Sequence, residues 1–167
     1  MKIELIAAMS LNGKIAASPD QSSLEWTSKE DTKFFVEKTK ECRVMIMGRK
    51  TFDTIGRALK DRLMIVMTCD PEKYVPIDGV EFTDRTPQQI LENLETRGYT
   101  SVAITGGAGV YSMFLKEKLV TDIFLTIEPI LFGNGISLAE SFGDVKLIFV
   151  ESKTLGEQAV LLHYEVV

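Results

Sequence analysis

Apolar residues come in short runs separated by polar turns, and the runs switch between two periods. Residues 3–8 (Ile-Glu-Leu-Ile-Ala-Ala) are mostly apolar and predict a buried strand. Residues 9–27 carry the turn signals Asn12-Gly13 and Ser18-Pro19-Asp20 and predict a long loop, which in a small domain is often functional. From Ser28 to about residue 41 helical spacing takes over, with Phe35, Thr39 and Cys42 recurring between Lys and Glu, and Ser28 followed by Asp31 resembles a capping box. A strand is expected at 43–47, a short helix at 50–56 and a strand at 62–68. A loop follows Asp70-Pro71, then a brief strand at 80–82. Thr86-Pro87 opens the next helix with proline at its first position, and Arg97-Gly98 stops it. Residues 101–105 read as a strand, Gly106-Gly107-Ala108-Gly109 turns into a helix ending near Leu119, and 121–130 is again a strand. Two last strands, 145–153 and 158–166, are joined through Leu155-Gly156-Glu157.

Strand–helix alternation predicts parallel pairing, and the final hairpin adds an antiparallel edge. The expected class is α/β, one mixed, mostly parallel sheet with helices on its faces. With 167 residues and no linker or repeat, residues 1–167 are expected to form a single domain. Net charge of −5 without a basic stripe argues against nucleic-acid binding as the main task. No stretch approaches the roughly 18 apolar residues that span a bilayer, and the N-terminal run meets charge and glycine too early for a secretory signal. A cytoplasmic protein with no membrane partner is expected. Cys42 and Cys69 form no CxxC pair and read as reduced, buried thiols. His163, the single histidine, lies in an apolar strand, so no metal site is expected.

Two turns carry candidate anion chemistry. Gly106-Gly107-Ala108-Gly109 opens a helix whose N-terminal amides, approached closely past glycine, favour a pyrophosphate. The dinucleotide fingerprint is only partly met: Gly107-x-Gly109 is present, Ser112 stands where the third glycine belongs, and Glu128 follows about 20 residues on. A tight turn without a ligand explains the same glycines. Gly48-Arg49-Lys50-Thr51 is the stronger signal, because Arg49 and Lys50 suit a 2′-phosphate and hence NADPH over NADH. The alternative is a solvated basic turn. Asp31 also has two readings. It either satisfies the helix N-terminus, or bonds an amino-pyrimidine edge and aids protonation of a ring nitrogen. Phe35 lies one turn beyond Asp31 on the same face, so a flat ring can rest on the phenyl while its polar edge meets the carboxylate. Core packing is the default reading of Trp26 and Phe35 taken singly.

In this order the residues resemble the dihydrofolate reductase-like superfamily over nearly the whole chain. Trp26, Asp31, Phe35 and Thr39 keep the spacing of the first helix of dihydrofolate reductases. MGRKTFDTIG (47–56), with Leu59 and Arg62, is similar to their cofactor loop and folate wall, and ITGGAGVY (104–111) to their glycine turn, where a cis Gly106-Gly107 peptide is implied. Thr126 matches the threonine that bonds the active-site carboxylate. MSLNGKIA (9–16) and LVTDIFLTIEPILFGNG (119–135) are closer to the C-terminal reductase domain of the riboflavin-biosynthesis deaminase–reductase and its stand-alone relatives.

The resemblance implies a three-layer sandwich and an NADPH-dependent reductase acting on an aminopyrimidine or pterin. The riboflavin-pathway substrate, 5-amino-6-(5-phosphoribosylamino)uracil or its diaminopyrimidine analogue, comes first, and dihydrofolate is the alternative. A non-catalytic NADPH-binding module is the reading of another class. Asp31 and Thr126 are the implied catalytic pair. Ala8, Ile15, Gly48, Arg49, Lys50, Thr51, Gly106, Gly107, Ala108, Gly109 and Tyr111 are the implied cofactor lining. Lys14, Trp26, Phe35, Ile55, Leu59 and Arg62 are the implied substrate contacts, with Arg62 on an anionic tail and the 9–25 loop as a lid. Homodimers are implied through the final hairpin, as in the riboflavin reductases. Three departures stand out. Thr105 replaces the acid usual before the double glycine in riboflavin reductases, Gly109 replaces an arginine that assists the 2′-phosphate, and the 16–26 loop is longer than in a typical bacterial dihydrofolate reductase. The deaminase zinc motif is missing, so any riboflavin-pathway role is the reductase step alone.

Overall fold

The computed structural model describes residues 1–167. β1 (Lys2–Ser10) and the short β2 (Lys14–Ala16) precede α1 (Lys29–Cys42). β3 (Val44–Gly48) leads into α2 (Arg49–Ile55), then β4 (Leu63–Met67) and β5 (Val80–Thr83). Next come α3 (Pro87–Thr96), β6 (Ser101–Ile104), α4 (Ala108–Lys116) and β7 (Asp122–Glu128). The chain ends with β8 (Ile136–Ser137) and the hairpin of β9 (Leu147–Leu155) and β10 (Ala159–Val166). One eight-stranded sheet has the order β5-β4-β3-β6-β1-β7-β10-β9. From β5 to β7 every pair is parallel, and β10 and β9 add antiparallel pairs.

Alternation along the central strands sends side chains to two cores. Leu5, Val44, Ile46, Val102 and Ile104 face Leu94 of α3 and Phe114 of α4. Ile6, Met45, Met47, Met64 and Val66 face the other way, toward Phe34 and Phe35 of α1 and Phe52 of α2. Both faces are covered, which is why these strands read as unbroken apolar runs. The result is the expected α/β sandwich of three layers.

Several boundaries differ from expectation. The 9–27 segment is not all loop: β1 extends through Ser10, paired with Glu128, and β2 pairs with β8, which the sequence pattern did not predict. A short 3-10 turn, Ser23–Glu25, is closed by a capping box from Ser22. α4 stops at Lys116 rather than near Leu119, because Lys118 turns left-handed (φ 55°) and the Leu119 amide bonds back to the Phe114 carbonyl. Leu119 still packs on the core, so its apolar character says nothing about helicity. Cys42 is buried as expected, and burial pushes its thiol up to about 12. Cys69 is exposed, against expectation. At the outer edge of the sheet, β9 exposes Leu147, Ile148, Phe149 and Val150.

Candidate active site

β3 and β6 end close to one level, β1 and β7 run on beside them to Ser10 and Glu128, and the carboxyl ends of such parallel strands are where open α/β sheets bind ligands. β3 ends in the turn of Gly48, and β6 in Thr105 and Gly106. The two turns are stitched together by hydrogen bonds from the Gly48 amide to the Gly106 carbonyl (2.7 Å) and from the Thr105 amide to the Ile46 carbonyl (2.9 Å). A methyl group on Gly48 would meet Val110 at 3.3 Å, and one on Gly107 would meet the Thr51 hydroxyl at 3.5 Å. The N-termini of α2 and α4 therefore lie side by side, and neither is capped by a side chain. Gly106 has φ +107°, and a methyl there would strike the Tyr111 ring at 3.1–3.3 Å. The Gly106-Gly107 peptide is cis, as the resemblance implies.

This cradle is glycine-lined, carries free helix-terminal amides and has Arg49 and Lys50 at its exposed rim. That donor set fits the phosphates of a dinucleotide. Arg49 already pairs with Asp53 one turn on, so a phosphate must compete with that carboxylate. Tyr111 is buried, its hydroxyl donating to the Ile6 carbonyl at 2.7 Å, so it supports the floor through packing. Ala8 is half-buried on β1 beside Thr126 of β7. Ile15 packs against the first core from β2. Ala108 is half-buried and Gly109 exposed at the start of α4.

On the other side, α1 begins at Ser28, whose hydroxyl accepts the Asp31 amide at 3.2 Å. The expected capping box is only half present. The Ser28 amide and hydroxyl both donate to Oε1 of Glu128, at 2.8 and 2.7 Å. Glu128 does the reciprocal capping and the Asp31 side chain is released from it. Hydrogen bonds from Thr126 and Thr27 reach the Asp31 carboxyl instead. Burial, the largest effect, raises its pKa; those two hydrogen bonds pull downward, and the nearby Glu128 charge pushes upward. Net, Asp31 holds its proton above the ordinary carboxylate range. The Glu128 carboxyl is buried and engaged, which removes it as a ribose ligand for the glycine turn.

Phe35 is half-buried one turn along from Asp31, and Ile55 and Leu59 pack into the same cluster. One turn further, the Thr39 hydroxyl accepts Nη1 of Arg62 at 2.9 Å, while Nε of Arg62 bonds the Lys60 carbonyl at 3.1 Å. Burial lowers the Arg62 pKa somewhat. Asp31 and Thr39 are eight residues apart, about 12 Å along the helix axis. The wall therefore offers a carboxyl at one end, apolar surface between, and a guanidinium at the other. Trp26 packs edge-on against Phe132 at 5.2 Å, and its indole N–H is buried without a protein partner, a donor suited to a ligand. Lys14 lies on the β2–β8 ribbon, bonded to the Ser137 hydroxyl at 3.1 Å. His163 bonds Asp122 at 3.0 Å and stacks on Phe124, so it is a packed strand residue.

Residue-level reading missed Thr27 and noted Glu128 only for its distance from the glycine turn. A usable signal existed for Glu128: it lies two residues from Thr126, and period-two alternation puts both on one face of β7.

An open, mostly parallel sheet with apposed glycine turns at its strand ends defines the class, an α/β protein with a ligand site at the carboxyl edge of its sheet. The family model for dihydrofolate reductase matches residues 2–129. The dihydrofolate reductase of Staphylococcus haemolyticus is 32% identical, covering 95% of this chain and 89% of its own. The chain belongs to the dihydrofolate reductase family, whose members are reductases. A protein of Shewanella sp. PV-4, provisionally assigned to riboflavin biosynthesis, shares the fold with a TM-score of 0.85 at 21% identity, covering 100% of this chain and 99% of that one. The dihydrofolate reductase of Enterococcus faecalis, solved with NADP(H) and RAB-propyl, shares it at 0.79 and 23% identity, covering 99% of this chain and 96% of that one.

Proposed function

We propose that the chain works as one domain, an NADPH-dependent reductase of a pterin carrying an anionic tail, with dihydrofolate as its substrate. One observation carries this reading: a single stripe of α1 presents buried Asp31, Phe35 and, through Thr39, Arg62. That stripe matches a flat ring with a polar edge at one end and a carboxylate about 12 Å away. The weight moves from the riboflavin-type substrate, which the sequence put first, because the Lys14 ammonium is already engaged by Ser137 on the β2–β8 ribbon. The Staphylococcus relative supports the same choice.

In this reading Gly106, Gly107, Thr51, Arg49 and Lys50 hold the cofactor's phosphates. When bound, reduced nicotinamide supplies the hydride. Asp31 bonds the amino-pyrimidine edge through its carboxyl oxygens, and its raised proton affinity keeps a proton available for the ring nitrogen. Thr126 and Thr27 hold the carboxyl in place. Phe35, Ile55 and Leu59 carry the ring face, and Arg62 takes the tail. Residues 9–25, whose Asp20 and Ser22 line one cavity with Arg49 and Lys50, exclude water.

Loss of NADPH near-ultraviolet absorbance, followed with dihydrofolate and in parallel with the phosphoribosylaminopyrimidine, tests the reading. Turnover of dihydrofolate alone supports it, and turnover of the pyrimidine alone replaces the substrate. Cofactor binding with neither turnover leaves a binding module. The exposed apolar run of β9 supports self-association, which Phe149→Lys should abolish in sedimentation.

A further inference from the structure

We propose that Glu128 is a positioning residue of this site: through Ser28 it fixes the first turn of α1 and so the place of the Asp31 carboxyl. Glu128 is 3% exposed, and so buried a polar group needs hydrogen-bond partners. Two donors meet its Oε1, the Ser28 amide and hydroxyl. That hydroxyl then has its lone pair directed to the Asp31 amide. The order of transmission is thus β7 carboxylate, Ser28, Asp31 backbone. The same strand supplies the second hold, since Thr126 bonds the Asp31 side chain. Asp31 is therefore gripped at backbone and at side chain by two residues of one strand, spaced by two. An ordinary capping box would have used the residue at Asp31's own position for the reciprocal bond. Here a carboxylate 100 residues away provides it, and the helix's own acid is left for chemistry. Glu128 also places a like charge near Asp31, and the Asp31 charge in turn raises the Tyr111 phenol of α4.

Only the kinetic arm of the test rests on the reductase reading. Carboxyl carbon NMR on the whole chain titrates Asp31 without any substrate, and amide exchange reports its backbone. Glu128→Gln keeps an acceptor for Ser28 and removes the charge. It should leave Asp31 amide protection nearly intact and move the Asp31 midpoint to lower pH by roughly half a unit or more. Glu128→Leu removes acceptor and charge together. Its Asp31 amide should exchange about tenfold faster or more, with kcat/KM falling by about tenfold at unchanged NADPH affinity. If Glu128→Leu leaves amide protection and midpoint as in the parent protein, Glu128 is only packing and the proposal is wrong. An unmoved midpoint in a well-folded Glu128→Gln protein also overturns the charge coupling. Absent turnover in the parent protein would refute the reductase reading and leave the two NMR outcomes to decide this one.

Discussion

Asp31→Asn removes the ionisable proton of the candidate acid and keeps its shape. The amide has nearly the same volume, the backbone bond to Ser28 is untouched, and Thr126 and Thr27 can still donate to the amide oxygen. A positioned general acid contributes about 10²–10⁴-fold, or ~2.7–5.4 kcal/mol of barrier. The upper half of that range is expected, because no neighbour can take over. Glu128 is bonded to Ser28, and the Tyr111 phenol is pushed well up by burial and donates to the Ile6 carbonyl. The assay is steady-state NADPH oxidation as a function of pH. The parent protein should lose kcat/KM as pH rises through the raised Asp31 value, and the variant should show a small rate without that limb. Stability moves oppositely. The folded protein holds the Asp31 proton more tightly than the unfolded chain, whose value is near 3.8. Asp31 therefore costs stability progressively as pH rises from there through its folded value. Asp31→Asn should melt higher than the parent at neutral and alkaline pH, with the gap closing toward acid. A variant within about threefold of parental kcat/KM would refute the chemistry. A melting gap that widens toward acid would refute the burial argument.

Other substitutions separate the remaining parts. Thr126→Val removes a bond that holds the Asp31 pKa down, so the alkaline limb of the rate profile should move to higher pH. Thr39→Val frees Arg62 from its 2.9 Å anchor; KM for a substrate with an anionic tail should rise about tenfold while kcat holds, and a tail-less pterin should be indifferent. Leu94→Ala empties a fully buried site under α3, costing about 2–5 kcal/mol in urea unfolding, with NADPH affinity unchanged.

Elements decided by local rules are legible in the chain. The central strands are apolar throughout because helices cover both faces, and Thr86-Pro87 and Gly106-Gly107 mark helix starts through their own backbone chemistry. β2 and β8 are not legible, since strands of three and two residues have no period to read and exist only by pairing with each other. The site divides along the same line. Gly48-Arg49-Lys50-Thr51 announces itself, because a glycine and two cations at a strand end are a local pattern. Asp31 does not, because its sequence neighbours fit a helix cap before they fit an active-site acid. Its role turns on which carboxylate satisfies Ser28, and the answer arrives from β7, 100 residues on. Arg62 is similar: its cationic character is visible, but its aim depends on Thr39, 23 residues back on another element. A side chain whose partner lies on its own turn can be read from the sequence, whereas one held from a distant strand needs either the fold or a resemblance that already encodes it.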